Sequence, residues 1–161
     1  MLASTLFTVE QAHLERLDTR EAVDFFRELL WAEARRLGLP LNRVRVSSWI
    51  NVADGGIDAV VEDGLPVPAD LIKEGRTSYQ IKASSSFKPW QRAEIKKELF
   101  GNKEPANENL GSSVRNCLDE DGTYILVCFM QDPVDPDHRQ AVDNLKYFFE
   151  KCDYPDANVE V

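Results

Sequence analysis

The hydrophobic pattern first becomes regular between residues 18 and 37, where apolar side chains recur every three or four positions. The recurring positions are Ala22, Phe26, Leu29, Leu30 and Leu37. Asp18 and Glu21 have the spacing of a capping box, and Gly38 followed by Pro40 provides a stop. This pattern predicts a helix that packs one face against a core.

Three strand-like segments follow, rich in β-branched and aromatic residues. They cover residues 44–51, 57–62 and 77–84. The turn sequence Asp54-Gly55-Gly56 separates the first two segments, which predicts a β-hairpin. In the third segment Tyr79 and Ile81 alternate with polar residues, and in a strand such neighbours point to opposite faces.

The second half of the chain alternates helices and strands. The pattern predicts helices over residues 89–100, 110–118 and 135–151, a strand over 123–130 and the start of another at 157–161. This order predicts an α/β fold in which helices flank a mixed central β-sheet, formed by a single domain over residues 1–161. Because domains rarely end inside a core strand, we expect the chain to be the N-terminal fragment of a longer multidomain protein.

Composition restricts the location of the protein more than its function. The chain lacks a run of about eighteen apolar residues and a basic, then apolar start, so a soluble, cytoplasmic protein with no membrane partner is predicted. Its three cysteines are widely spaced, which indicates neither a disulfide framework nor a zinc site. The formal net charge of -9 weakens a nucleic-acid interpretation, although local charge near a groove matters more than the total.

Three polar residues occupy strand positions where they could carry chemistry. Asp58 lies at the start of the second strand, and Gln80 and Lys82 share one face of the third. If these strands pair, a carboxylate, an amide and a lysine converge, as metal-dependent hydrolysis of a phosphodiester requires. Asp58, Gln80 and the backbone carbonyl of Ile81 are then the predicted metal ligands. Alternatively, Asp58 closes a turn and the other two form the solvated face of an edge strand.

The first helix offers a fourth candidate. At about 100° per residue, Glu33 falls near the middle of the apolar face, whereas Glu28 lies on the opposite, solvated face. A buried carboxylate is costly unless it is paired or bound to a cation. Glu33 is therefore predicted to support the metal or the attacking water, and a structural pair with Arg35 or Arg36 is the alternative.

The sequences GGID at 55–58 and YQIKAS at 79–84 resemble the core of the PD-(D/E)XK restriction-endonuclease-like superfamily, over roughly residues 18–150. They are similar in particular to the Mrr-like branch, in which a glutamine takes the second acidic position, and to the N-terminal nuclease domains of bacterial antiphage proteins. The resemblance implies a restriction-endonuclease-like three-layer sandwich. It also implies Mg²⁺-dependent cutting of double-stranded DNA, with Mn²⁺ as a substitute.

For individual residues, the resemblance implies that Asp58 binds the metal, that Lys82 assists the nucleophilic water and that Gln80 occupies the usual acidic position. Gln80 is neutral where many relatives carry glutamate, which removes one negative charge from the metal site. The similarity to antiphage proteins implies that the remaining domains of the parent protein are partners. It also implies that assembly into an oligomer controls activity.

The cations Lys88, Arg92, Lys96 and Lys97 lie on or beside the helix that follows the Lys82 strand. Lys88, Arg92 and Lys96 are predicted to contact DNA phosphates, and the alternative is that they serve only solubility. For the whole chain, the rival prediction is a catalytically inactive module that binds nucleic acid or another protein, which the net charge favours. An RNA-directed nuclease would use the same metal chemistry.

Overall fold

The computed structural model describes residues 9–47, 56–67 and 69–161. The helices are α1 (Gln11–Leu14), α2 (Thr19–Leu37), α3 (Arg92–Phe100), α4 (Ser112–Asp119) and α5 (Asp135–Glu150). The strands are β1 (Val44–Val46), β2 (Ala59–Gly64), β3 (Gly75–Lys82), β4 (Thr123–Cys128) and β5 (Asn158–Glu160). Within the described ranges, no helix is long and apolar enough to cross a membrane.

Helix α2 begins and ends where its sequence predicts. The Asp18 side chain accepts a hydrogen bond from the Glu21 backbone (2.8 Å), and the Glu21 side chain accepts one from the Asp18 backbone (2.9 Å). Gly38 ends the helix at a φ of 72°, a conformation that glycine adopts without a steric cost. The prediction that Leu29 faces the core is wrong, because Leu29 is 37% exposed. The residues that α2 buries are Ala22, Val23, Phe26, Leu30 and Ala34.

The five strands form one mixed sheet in the order β1-β2-β3-β4-β5. β1 pairs with β2 and β2 with β3 in antiparallel fashion, whereas β3 with β4 and β4 with β5 are parallel. The predicted α/β class and mixed sheet are therefore confirmed. The antiparallel β1–β2 pair also confirms the predicted strand pairing, while Asp54 and Gly55 of the turn sequence lie outside the described residues.

Alternation along the strands gives the sheet two apolar faces. Ala59, Tyr79 and Ile81 belong to one core cluster, together with the buried residues of α2. Tyr124 and Leu126 belong to a second cluster, together with buried residues of α3, α4 and α5. Helices thus cover both faces of the sheet, an arrangement that is compatible with a three-layer sandwich.

The strand directions bring three chain segments to one edge of the sheet. Because β3 and β4 run parallel, Lys82 and Cys128 pair at their carboxyl ends. Because β2 runs the other way, its first residue, Ala59, pairs with Tyr79 near the end of β3. The start of β2 and the ends of β3 and β4 therefore meet, and we call this the β2–β3 end of the sheet.

A buried amide on α5 holds the segment that leads into α3. The side-chain nitrogen of Asn144 donates to the backbone carbonyls of Pro89 (3.1 Å) and Trp90 (3.0 Å). Its oxygen accepts hydrogen bonds from Arg92 Nε (3.3 Å) and Gln140 Nε2 (3.1 Å). Asn144 is fully buried, so these four bonds offset the cost of burying its amide and fix the start of α3 against α5.

We expect Asn144→Leu to lower the free energy of unfolding by about 2–3 kcal/mol, because leucine leaves two carbonyls without their donor. Urea denaturation followed by circular dichroism measures the change. Asn116→Leu, at an exposed position of α4, is the matched control and should cost less than about 0.5 kcal/mol. Equal stability of Asn144→Leu and the wild type would contradict this role for Asn144.

Candidate active site

Asp58 stands immediately before β2 and is tied to β3 by two hydrogen bonds. Its backbone nitrogen donates to the Tyr79 carbonyl at 2.8 Å. Its carboxylate Oδ2 accepts a hydrogen bond from the Ile81 backbone nitrogen at 2.6 Å, across 23 positions of sequence. This bond links two strands and differs from the local bonds by which an aspartate closes a turn. It holds the carboxylate where β2 and β3 separate.

Gly56 allows the chain to approach this point closely. Its φ is 87°, and a Cβ atom there would lie 3.2 Å from Val114 Cγ2 on α4 and 3.7 Å from Gln80 Oε1. The backbone conformation and the close contact with Val114 both favour glycine. The amide oxygen of Gln80 therefore lies beside the segment that leads into Asp58.

Gln80 and Lys82 lie on the sheet face that α3, α4 and α5 cover. Tyr79 and Ile81 belong to the α2 cluster, and successive strand residues point to opposite faces. Since Ala59 pairs with Tyr79 in antiparallel register, Asp58 lies opposite Gln80. The structure thus brings Asp58, Gln80 and Lys82 to the β2–β3 end.

The Ile81 backbone carbonyl points toward the side of β3 on which Asp58 lies. Carbonyl groups alternate between the two sides of a strand. The Tyr79 carbonyl accepts from Asp58 on the β2 side, and the Lys82 carbonyl accepts from Phe129 on the β4 side at 2.9 Å. Ile81, two residues beyond Tyr79, therefore directs its carbonyl to the β2 side.

Lys82 forms an ion pair that the sequence did not indicate. Its Nζ lies 2.5 Å from Glu98 Oε2 on α3 and 5.7 Å from the centre of the Phe87 ring. The Lys82 and Glu98 side chains are only 25% and 20% exposed. A signal was available, because Glu98 follows the fully buried Ile95 by three positions and so shares its helical face.

Tyr124, four positions before Cys128 on β4, carries a buried hydroxyl. Its side chain is fully buried, and burial raises the pKa of the hydroxyl well above its usual value of 10.0. The negative charges of Glu98 and Asp58 raise the pKa further. Within the described part of the chain, this hydroxyl has no hydrogen-bond partner.

The three cysteines are free thiols. Burial raises the pKa of the Cys128 thiol to about 12, with Glu98 adding to the rise and Lys82 opposing it. Burial likewise raises the pKa of Cys152 to about 11 and that of Cys117 above its usual value. At neutral pH Cys128 is therefore a protonated thiol, which fits the interpretation of a small apolar residue and not a nucleophile.

The donors at the β2–β3 end suit a hard divalent cation. Asp58 offers a carboxylate, Gln80 an amide oxygen and Ile81 a backbone carbonyl, and oxygen ligands are the kind that Mg²⁺ prefers. The described residues contain no cluster of three histidine, cysteine or acidic side chains suited to a metal. Mg²⁺ usually keeps several waters and needs only one or two carboxylates, so this donor set fits it.

Glu33 is not brought to this group. It lies on α2, which covers the sheet face opposite to Gln80. Phe26, earlier on α2, contacts Phe129 just beyond β4, with ring centroids 6.3 Å apart. Glu33 lies about two helical turns beyond Phe26 and lines a surface pocket together with Leu71.

Arg36 compensates the negative charge of Glu33 in an ion pair. The guanidinium donates two hydrogen bonds of 2.8 Å to the two carboxylate oxygens. The hydrogen bond from Arg36 lowers the pKa of Glu33 below its usual value of 4.5. The Glu33 side chain is 12% exposed, in agreement with its place on the apolar face. The structural pair, stated above as the alternative, is therefore present.

The three cations predicted to contact DNA are held in different ways. Lys88 is exposed on the loop before α3. The Arg92 guanidinium stacks over the Tyr147 ring, 4.2 Å from its centre. Lys96 pairs with Glu104 at 3.4 Å, which neutralises part of its charge.

No family model matches the chain, and no curated protein or solved structure matches it. The function therefore has to be argued from the residues and their geometry.

We expect Glu33→Gln to reduce the loss of stability in acid. Because Arg36 lowers the pKa of Glu33 in the folded state, the pair stabilises the protein above about pH 4.5. That stability is lost as the pH falls through the lowered pKa. Urea midpoints between pH 3 and pH 6 measure the effect, with Glu28→Gln, at an exposed position of α2, as the control. An unchanged acid dependence in Glu33→Gln would contradict the structural pair.

Proposed function

We propose that this chain is a metal-dependent nuclease domain of the PD-(D/E)XK restriction-endonuclease-like class, which hydrolyses phosphodiester bonds of double-stranded DNA. The observation that carries the proposal is the 2.6 Å hydrogen bond from the Ile81 backbone to the Asp58 carboxylate. It holds a carboxylate beside the strand that carries Gln80 and Lys82. The strand order, with helices on both sheet faces, is compatible with the three-layer sandwich of that class.

Asp58, the Gln80 side-chain oxygen and the Ile81 carbonyl would hold Mg²⁺, with Mn²⁺ as a substitute. When bound, such a cation supplies Lewis-acid stabilisation of the phosphate and lowers the pKa of its water. Asp58 is the one formal negative charge among these three donors. We therefore expect the affinity for a divalent cation to depend mainly on Asp58 and to be weaker than in a site with two carboxylates.

Lys82 would stabilise the negative charge that develops on the phosphate or orient the attacking water. Its ammonium lies on the same sheet face as the Gln80 amide, at the end of the strand. With only 25% of the side chain exposed, water screens its charge less than at an open surface. A preorganised cation of this kind is a common source of transition-state stabilisation.

Lys88, Arg92 and Lys96 would provide local positive charge for DNA phosphates in a protein whose net charge is -9. Because Arg92 also stacks on Tyr147 and Lys96 pairs with Glu104, Lys88 would be the first phosphate contact. The similarity to antiphage effector domains extends the proposal to a defence role in a larger, oligomeric parent protein.

A second candidate function is a non-catalytic module of the same fold that binds nucleic acid or a protein. Two observations favour it: the acidic net charge and the pairing of Lys96 with Glu104. Such a module would bind its partner without cutting, and its binding would not depend on Asp58.

The cleavage prediction is tested with the full chain, supercoiled plasmid and Mg²⁺, following the nicked and linear products. We expect Asp58→Asn and Lys82→Met to cut at least about 100-fold more slowly than the wild type, because each removes a group that stabilises charge in the transition state. Lys103→Met, at an exposed position after α3, is the matched control for Lys82 and should cut at the wild-type rate. Thermal melts confirm that each variant folds.

Undiminished Mg²⁺-dependent cutting by Asp58→Asn would falsify the assignment. Binding of plasmid by a wild-type chain that never cuts would support the non-catalytic module instead. The same protein panel with a duplex RNA substrate separates a DNA nuclease from an RNA nuclease.

A further inference from the structure

The ion pair between Lys82 and Glu98 joins the end of β3 to α3, with 2.5 Å between Nζ and Oε2. Open surface pairs contribute little, because water and salt screen them. This pair is about three quarters shielded from solvent, since its side chains are 25% and 20% exposed. Each charged group is therefore stabilised by the other more than in a surface pair. Loss of the carboxylate would leave the ammonium shielded from water and without its partner.

The surroundings restrict both members of the pair. Glu98 lies in sequence between Ile95 and Phe100, which are 0% and 4% exposed and belong to the same core cluster as Leu145 and Phe148 of α5. The start of the same helix is tied to α5 through Asn144. The Lys82 ammonium also lies over the ring of Phe87, which is buried. The ammonium therefore contacts two groups that are themselves held by packed elements.

We propose that Glu98 is a positioning residue of this site. Its carboxylate holds the Lys82 ammonium in place at the end of β3. The inference rests on the proposed function, because positioning of Lys82 matters for catalysis only if the chain cuts nucleic acid. Glu98 acts through Lys82 and is not a metal ligand.

The ion pair is tested without any cleavage by labelling the lysines of the full chain with an amine-reactive acetylating reagent and measuring each rate by mass spectrometry. We expect Lys82 to react severalfold faster in Glu98→Gln than in the wild type, because its amine is no longer held by a carboxylate. Glu94→Gln, one turn earlier on α3, is the matched control and should leave the rate at Lys82 unchanged. Equal rates at Lys82 in Glu98→Gln and the wild type would overturn the proposal.

The positioning role is tested by kinetics and by titration with Mn²⁺ alone. We expect Glu98→Gln to lower kcat for plasmid cleavage while KM and the Asp58-dependent Mn²⁺ affinity stay near the wild-type values. Glu98→Asp keeps the charge on a shorter side chain and should restore part of kcat. If Glu98→Gln does not fold, both measurements are made on Glu98→Asp instead. We then expect Lys82 to be labelled faster than in the wild type and kcat to be lower than in the wild type.

Two results would overturn the positioning role in different ways. A large loss of Mn²⁺ affinity in Glu98→Gln would identify Glu98 as a metal ligand. A wild-type chain that shows the expected labelling but never cuts would remove the proposed function, and the ion pair would then be only structural.

Discussion

The hydrogen bond between the Ile81 backbone and the Asp58 carboxylate is the constraint on which the rest of the site depends. It joins the start of β2 to the end of β3 at the point where the two strands separate. Because β2 and β3 are antiparallel, Gln80 lies opposite Asp58 and Lys82 follows on the same sheet face. The same geometry turns the Ile81 carbonyl toward Asp58. One carboxylate, two neutral oxygens and one ammonium group are thereby gathered at one end of the sheet.

The helices beyond β3 complete this arrangement. Asn144 fixes the start of α3 against α5, and Ile95 is buried in the core cluster that α3 shares with α5. Glu98 can then reach the Lys82 ammonium from α3. These contacts place polar groups beside a well-packed sheet face, whereas most acidic residues of the described ranges are exposed.

Features that depend on local sequence were predictable, and features that depend on packing between distant segments were not. The ends of α2 follow from Asp18, Glu21 and Gly38, and the shared face of Gln80 and Lys82 follows from strand alternation. Helical spacing correctly indicated that Glu33 is largely shielded, but it cannot show which sheet face α2 covers. The prediction for Leu29 was wrong because the buried face of α2 runs through Phe26, Leu30 and Ala34 and leaves Leu29 exposed. Glu98 was missed because its partner is set by how α3 packs on the sheet, although its spacing from Ile95 was visible.

The most direct test of the central claim is anomalous diffraction from crystals of the full chain soaked in Mn²⁺. The account predicts one anomalous peak within bonding distance of the Asp58 carboxylate and the Ile81 carbonyl, with the Gln80 amide oxygen beside it and Glu98 still paired with Lys82. In crystals of Asp58→Asn that peak should disappear. Density for Mn²⁺ elsewhere, with the β2–β3 end empty at saturating concentration, would contradict the account.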